Sequence, residues 1–222
     1  ANGEYRYTTA DAEGRFLLLG LPEGTFTIRA EDPASGLAGE AAGTLPDASQ
    51  PFDFDVVMPA SGTVSGTVRD AAAQAVPFAE ISVRSLPADI ARSTSADDQG
   101  RYAFERVPTG TVDVVGVKPG TALHGAAASA LAAHGDTLVM DIALPVPGSI
   151  SGALADAGTP MADHCVELRS QQTAFGLGEL RVLAQTDGTG AFGFAEVAPG
   201  AYSVLAAACT NADQGAVAHV DV

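Results

Sequence analysis

The sequence predicts an all-β protein made of seven-stranded antiparallel β-sandwiches arranged as two and a half tandem units in a linear array. Two observations lead to this prediction. Within each unit, apolar and polar residues alternate between turns rich in glycine and proline, which is typical of short strands. In addition, one set of residues recurs 86 positions later (100 minus 14 for one glycine pair), a period long enough for a whole domain. The first set is Thr8, Asp11, Gly14, Phe16, Pro22, Gly24, Ile28 and Gly39, and the second is Thr94, Asp97, Gly100, Tyr102, Pro108, Gly110, Val114 and Gly125.

The same frame returns about 90 positions further on, as Asp187, Gly190, Phe192, Gly200, Val204 and Gly215. We therefore predict three divisions of the chain. Residues 1–60 form a partial first sandwich that starts at its third strand, residues 61–146 a complete second sandwich, and residues 147–222 a third sandwich without its closing strand. Short proline-containing connections between the units favour a fixed relation between neighbours.

The strands of the middle unit follow from its alternation. We expect a first strand at 62–70, a second at 79–85, a third at 91–96, and a fourth and fifth that point Tyr102, Phe104, Val112 and Val114 inward. The closing strand alternates Leu138, Met140, Ile142 and Leu144, and its counterpart in the first unit holds Phe52, Phe54, Val56 and Met58. Only the alanine-rich stretch 121–133 favours a helical turn.

Three equivalent glycines each follow an aspartate by three positions and precede an inward aromatic residue. They are Gly14, Gly100 and Gly190. Because glycine adopts positive φ without a steric cost, we predict the same reversal with positive φ at all three.

Both end units are expected to be incomplete. The first has no counterpart of residues 62–84, and the frame of the third would extend to position 231 (215 plus 16) beyond Val222. We expect more of the same polypeptide, or a strand lent by a neighbouring copy in a filament, to cover these edges.

Charge narrows the range of partners. The formal net charge is −16, with 27 acidic residues against 11 lysines and arginines, so binding to nucleic acid is electrostatically unfavourable. No apolar run is long enough to predict membrane insertion. The two cysteines, Cys165 and Cys209, both lie in the last unit and favour one disulfide in an oxidising compartment, with two buried thiols as the alternative.

Three motifs together resemble a known family. They are Gly-x-Val/Ile-x-Gly-x-Val/Leu-x-Asp, Thr-x-x-Asp-x-x-Gly-x-Phe/Tyr-x-Phe/Leu and Pro-x-Gly-x-Phe/Tyr-x-Val/Ile, and the third unit shifts the proline of the last one to Pro199. This pattern is similar to the carboxypeptidase regulatory-like domain, one of the transthyretin-like sandwiches related to collagen-adhesin B-type repeats. The resemblance implies Greek-key topology and places the second strand beside the fifth, so that Cys165 would lie near Cys209. The Lys–Asn isopeptide bond of the adhesin relatives is not expected, because the first strands carry no lysine.

Candidate ligand sites are few. Asp11, Asp97 and Asp98 lie in acidic turns and offer oxygen ligands for calcium, although aspartate is also favoured in turns for its bonds to the backbone. Tyr5, Tyr7, Phe78 and Phe175 are the aromatic residues that the alternation does not assign to a core. Phe175 lies in a loop enlarged by about four residues relative to the middle unit, so it is the best candidate for stacking on a glycan.

No nucleophile, metalloprotease or phosphate-binding motif is present in the sequence, and we expect neither an enzyme nor a resident cofactor. The primary hypothesis is a non-catalytic structural or adhesive array, a stalk or filament subunit, in a secreted or cell-surface bacterial protein. The alternative is an accessory carbohydrate- or protein-binding module of a secreted hydrolase.

Overall fold

A computed structural model describes residues 5–170, 180–207 and 215–221. The chain divides into two compact units, Ala1–Pro59 and Ala60–Val222. All regular secondary structure in the described ranges is β-strand, which confirms the predicted all-β class. The division into three sandwiches, at residues 1–60, 61–146 and 147–222, stays a prediction.

The first unit contains one hairpin. Strand β1 (Gly24–Glu31) pairs antiparallel with β2 (Ala38–Leu45). The side chains of Phe26 and Phe54 meet edge to face, with ring centroids 5.0 Å apart, so the predicted closing segment packs on this hairpin without forming a strand of its own.

The middle sandwich fills the first part of the second unit. Its strands are β3 (Ser61–Arg69), β4 (Glu80–Leu86), β5 (Ile90–Ser95), β6 (Arg101–Pro108), β7 (Gly110–Val117), β8 (His124–Leu131), β9 (Thr137–Val139) and β10 (Ile142–Ala143). In one sheet β3 pairs with β6, β9 and β10, and in the other the strand order is β5-β4-β7-β8. The predicted inward residues form the core between the sheets, among them Val64, Val68, Ile81, Val83, Tyr102, Phe104, Val112 and Val114.

The closing strand differs from the prediction of an antiparallel partner. It is divided into β9 and β10, and both run parallel to β3. At the break the Met140 N–H donates to the Ser65 carbonyl at 2.7 Å, and the Tyr102 hydroxyl donates to the Met140 carbonyl. Met140, Ile142 and Leu144 are nevertheless buried, so the alternation correctly identified the inward residues.

The helical turn expected within 121–133 is wrong. Residues 124–131 form strand β8, which pairs antiparallel along its whole length with β7. A Cβ at Gly125 would lie 2.5 Å from the Ala143 carbonyl oxygen, so this small residue lets the closing segment approach β8 closely. Pairing and close packing outweigh the modest helix propensity of alanine.

The third sandwich occupies the rest of the second unit. Its strands are β11 (Gly148–Ala153), β12 (Ala155–Asp156), β13 (Thr159–Pro160), β14 (Cys165–Ser170), β15 (Arg181–Gln185), β16 (Ala191–Val197), β17 (Ala201–Ala207) and β18 (Gly215–Asp221). Strand β11 pairs with β16, and the larger sheet has the order β15-β14-β17-β18. This order repeats that of the β5-β4-β7-β8 sheet in the middle sandwich. A second core gathers around Val166, Leu168, Phe194 and Tyr202.

The first unit is less regular than predicted. The expected third and fourth strands form no ladder among its described residues, and Phe52, which was assigned to the core, is 45% exposed. In the middle sandwich β5 pairs with β4, while β6, β9 and β10 pair with β3. In the first unit, the described residues contain one ladder, between β1 and β2.

Candidate functional site: the joint between two sandwiches

The β7–β8 loop of the middle sandwich reaches the third sandwich. Within the loop, the Lys118 N–H donates to the Leu123 carbonyl at 2.9 Å, and the Thr121 hydroxyl donates to the Lys118 carbonyl at 3.0 Å. These bonds close the loop as a tight turn with Gly120 at φ +71°. The turn presents Ala122 to the third sandwich.

Each sandwich places an alanine in the other one's core. Ala122 of the middle sandwich belongs to the core of the third, and Ala198 of the third belongs to the core of the middle one; each is 2% exposed. The Ala198 N–H donates to the Ala122 carbonyl at 3.1 Å, and Ala122 forms a parallel bridge with Val197. The joint is therefore continuous in both hydrogen bonding and core packing.

A buried tyrosine supports this contact from within the third sandwich. The Tyr202 hydroxyl donates to the Ala198 carbonyl at 2.8 Å, so the N–H and the carbonyl of Ala198 are both satisfied. Tyr202 is 1% exposed, and burial raises the pKa of its hydroxyl to about 12. The hydroxyl therefore stays a hydrogen-bond donor even at pH values where a free tyrosine ionises.

An ion pair crosses the same joint. The Lys118 ammonium pairs with the Glu196 carboxylate, and their side chains are 37% and 38% exposed. Pairs at this exposure contribute at most about 1 kcal/mol because water screens them. The alanine contacts and the backbone bond therefore carry most of the stabilisation of the joint.

The three predicted reversals are confirmed as positive-φ turns. In each, the glycine N–H donates to the carbonyl of the aspartate three positions earlier, at 2.9–3.0 Å. The φ angles are +79° at Gly14, +71° at Gly100 and +77° at Gly190.

The aspartates of these turns are engaged with the backbone. Oδ1 of Asp97 accepts the N–H of Gln99 and of Arg101, each at 2.8 Å. At the third turn, the hydroxyl of Thr189, followed by the amides of Thr189 and Ala191, lowers the pKa of the Asp187 carboxyl. Hydrogen bonds to the charged form explain both the recurrence of aspartate and the direction of this shift.

The calcium candidates lie at two separate turns. Asp11 accepts the N–H of Glu13 and of Arg15, and Asp97 makes the corresponding bonds in the second turn. Asp98 is exposed beside Asp97. Within the described residues no three acidic, histidine or cysteine side chains are grouped to hold a metal ion. The turn bonds account for Asp11 and Asp97 without a cation, and calcium binding stays a prediction.

Two predicted site residues lie outside the described residues, namely Cys209 and the candidate ligand residue Phe175. Cys165 begins β14, where it is opposite Ala207 of β17, two residues before Cys209 in the chain. The disulfide therefore stays a prediction. Of the other unassigned aromatic residues, Tyr5, Tyr7 and Phe78 are exposed, with Tyr7 at 90%.

The joint was missed at the sequence level. The proline-containing connection 145–147 pointed to a stiff linker. The loop 118–123 that makes the contact only overlaps the stretch 121–133, where a helical turn was expected. One usable signal was the tyrosine at position 202, which takes the place of Val112 in the repeat frame (202 minus 90). A buried tyrosine requires a hydrogen-bond partner for its hydroxyl, so this substitution pointed to a polar contact.

Among the described residues there is no helix that has the length and apolar character needed to cross a bilayer. The fold and the joint define a class of protein: consecutive β-sandwiches that share core packing and a backbone hydrogen bond where they meet. Residues 63–145 match the family model of the carboxypeptidase regulatory-like domain, which confirms the resemblance for the middle sandwich. No curated protein matches the chain.

Several solved structures are similar to the chain at low identity. A streptococcal ancillary pilin is 14% identical with a TM-score of 0.39, covering 91% of this chain and 72% of its own. The minor pilin of Streptococcus agalactiae is 13% identical with a TM-score of 0.38, covering 72% and 90%. The shaft pilin SpaA of Lactobacillus rhamnosus GG is 10% identical with a TM-score of 0.32, covering 72% and 93%. Because these TM-scores are below 0.5, the proposals below depend on the geometry of this chain alone.

Proposed function

We propose that this chain is a non-catalytic structural segment of a secreted or cell-surface bacterial protein, serving as part of a stalk or filament. The observation that carries the proposal is the reciprocal joint, in which Ala122 and Ala198 are each buried in the core of the neighbouring sandwich. An array of this kind can separate the domains at its two ends and hold neighbouring sandwiches in a fixed orientation.

The covalent connection supports the same conclusion. Strand β10 ends at Ala143 and β11 begins at Gly148, so four residues (144–147) join the two sandwiches, and two of them are prolines. Leu144 is 2% exposed and lies in the middle core, which shortens the free part of the connection further. Proline restricts the backbone, and bending the joint would expose both alanines and break the bond between them.

Composition and charge agree with an extracellular setting. A net charge of −16 keeps the array hydrated and separate from nucleic acid and anionic surfaces. A disulfide between Cys165 and Cys209 would further favour an oxidising compartment. The partners in this proposal are neighbouring sandwiches of the same array and the domains that flank them.

The distance distribution between the two sandwiches tests the proposal. Spin labels on unnatural amino acids at Ala103 and Leu183, both exposed, leave the cysteines untouched, and pulsed electron spin resonance then reports the separation. We expect one narrow distribution. Replacing Ala122 with Asp buries a charge at the joint and should broaden it, because the loop must leave the third core to hydrate the carboxylate.

The matched control is Ala128→Asp, which makes the same change at an exposed position of β8 and should leave the distribution narrow. Far-UV circular dichroism checks that both variants keep their strands. A broad distribution in the unaltered chain would contradict a stiff stalk. Saturable binding to a glycan array would instead favour the accessory carbohydrate-binding module.

A further inference from the structure

The ion pair across the joint includes a residue with a strained backbone. Glu196 lies at a β-bulge between β16 and β11, where its φ is +55°. Positive φ is costly for a residue that carries a side chain, whereas glycine adopts it freely. The middle sandwich repeats this feature between β6 and β3, because Arg106, 90 residues earlier (196 minus 106), has φ +53° at the corresponding bulge. Both sandwiches therefore have a charged residue at a position that favours glycine.

The first unit has a glycine at this position of the repeat. Gly20 precedes Arg106 by 86 residues (106 minus 20) and has φ +69°. The backbone geometry therefore requires no charge, and the strain at Arg106 and Glu196 needs another reason. For Glu196 the structure gives one, because its carboxylate pairs with the Lys118 ammonium of the middle sandwich.

The loop that carries the partner charge also recurs in the repeat. Lys118 begins the loop 118–123, and Asp32 begins the loop 32–37, which is 86 residues earlier (118 minus 32). In each loop a proline follows, and the N–H of the first residue donates to the carbonyl of the sixth, at 2.9 Å and 2.8 Å respectively. The two loops are thus closed in the same way but begin with opposite charges.

The charges of loops and bulges are paired by sign. Lys118 is attracted to Glu196 but would be repelled by Arg106, whereas a loop that begins with aspartate would be repelled by Glu196 and attracted to Arg106. A solvent-exposed pair adds little affinity. It discriminates more strongly than it binds, because a wrong partner both loses the attraction and adds a repulsion.

Residue size indicates the same preference. In the described joint Ala122 of the loop meets Ala198, which lies two residues after Glu196. The counterpart of Ala198 in the middle sandwich is the larger Pro108 (198 minus 90), which has no N–H to donate. The counterpart of Ala122 in the acidic loop is the smaller Gly36 (122 minus 86). The larger acceptor residue and the smaller loop residue are therefore complementary in size.

We propose that Glu196 and Arg106 are selector residues, each of which determines by the sign of its charge which kind of loop its sandwich binds. Glu196 selects a loop that begins with a cation, and Arg106 selects a loop of the 32–37 type, which begins with a carboxylate. The proposal rests on the stalk function above, because it assigns the order in which sandwiches join. It also excludes a partner, since the Lys118 loop of a second copy would meet a like charge at Arg106.

Amide exchange at Ala198 measures opening of the joint, because this N–H donates to the Ala122 carbonyl. Lys118→Asp gives the loop the charge of its acidic counterpart and should accelerate this exchange about five- to ten-fold at low salt. Adding Glu196→Arg should restore the rate to within about two-fold of the unaltered chain, because it recreates the aspartate–arginine combination. Both replacements are residues that the repeat already uses at these positions, so the loop and the bulge can hold them.

Two controls separate selection from net charge. Lys118→Asp combined with Asp156→Arg makes the same total change of charge, with the arginine at an exposed position of β12, and should not restore the rate. In a Glu196→Gln background, Lys118→Asp should change the rate by less than about two-fold, because the selecting charge is absent.

A failure of Glu196→Arg to restore the rate would overturn the proposal, and so would an equal effect of Asp156→Arg. An acceleration by Lys118→Asp that persists undiminished in about 1 M salt would also contradict it, because salt screens exposed charges. The distance distribution of the unaltered chain does not depend on these variants. If it is narrow while the rescue fails, the selector proposal is wrong and the stalk proposal stands.

Discussion

Gly100 and Gly120 allow the cost of positive φ to be separated from the cost of steric overlap. Both have φ of +71°, and both lie in the middle sandwich or its loop. A Cβ at Gly120 would meet nothing within 4 Å, whereas one at Gly100 would lie 2.8 Å from the Val68 carbonyl oxygen and 3.1 Å from the Val76 nitrogen. These are backbone atoms of the core region, so they move only at a cost.

Alanine at position 120 should therefore lower the free energy of unfolding by about 1 kcal/mol, the cost of the left-handed conformation. At position 100, overpacking should lower the free energy of unfolding by roughly 1–3 kcal/mol more than the left-handed conformation alone does. The total loss at this position is then about 3 kcal/mol. The Gly100 carbonyl also accepts the Val68 N–H at 2.8 Å, so any shift of the turn disturbs β3.

Native-state hydrogen exchange of the best-protected amides in β3 and β6 measures the stability of this sandwich separately from its neighbours. If Gly100→Ala and Gly120→Ala lower the stability by amounts that agree within about 0.5 kcal/mol, the steric argument is refuted. They would mean that the turn at Gly100 relaxes as freely as the open loop at Gly120.

In chemical denaturation, Gly66→Ala should lower the free energy of unfolding by about 3 kcal/mol, because the new Cβ would overlap a backbone carbonyl of the closing segment. Gly152→Ala should lower it by about 1 kcal/mol, because its Cβ would meet an aromatic ring at 2.6 Å that can move aside. Equal losses of stability for these two variants would contradict the difference between backbone and side-chain overlap. Tyr202 ionises with a pKa raised to about 12 in the folded chain, so the folded state holds that proton more tightly than the unfolded one. Its contribution to stability should be complete below pH 10 and lost as the pH rises from 10 to about 12, which tyrosinate absorbance and unfolding midpoints measure together. A disulfide between Cys165 and Cys209 would close a loop of 44 residues (209 minus 165) and stabilise the third sandwich by about 3–4 kcal/mol. Peptide mapping without reductant checks the bond, and two alkylated thiols in the native protein would disprove it.

The inward residues of the middle sandwich were predictable because burial imposes a period of two on each strand. Val64, Ile81, Phe104 and Val114 are all buried as expected. The glycine turns were predictable for a related reason, since the aspartate and the glycine perform local roles that depend on few distant contacts.

Features that depend on pairing partners were harder to predict. The alternation at 138–144 identified the buried side but not the direction of pairing, because parallel and antiparallel strands share the same period. The alanine-rich strand β8 shows the opposite problem: its local preference is helical, and only its neighbours β7 and β10 make a strand favourable. In the first unit the alternation at Phe52 predicted burial, but its ring packs on Phe26 and Phe54 at the surface and is 45% exposed.

The joint shows why small residues suit a contact between domains. Ala122 and Ala198 each enter a neighbouring core that is already filled by larger side chains, so they bring two backbones within hydrogen-bonding distance without leaving a cavity. A larger residue at either position would push the sandwiches apart, and a glycine would loosen the loop that presents it. Since the ion pair beside them is more than one-third exposed, screening by salt weakens only the minor part of the contact. The orientation of the two sandwiches is thus determined mainly by packing and backbone bonding, which are far less sensitive to ionic strength than charge pairs. This insensitivity to ionic strength suits the stalk proposed above.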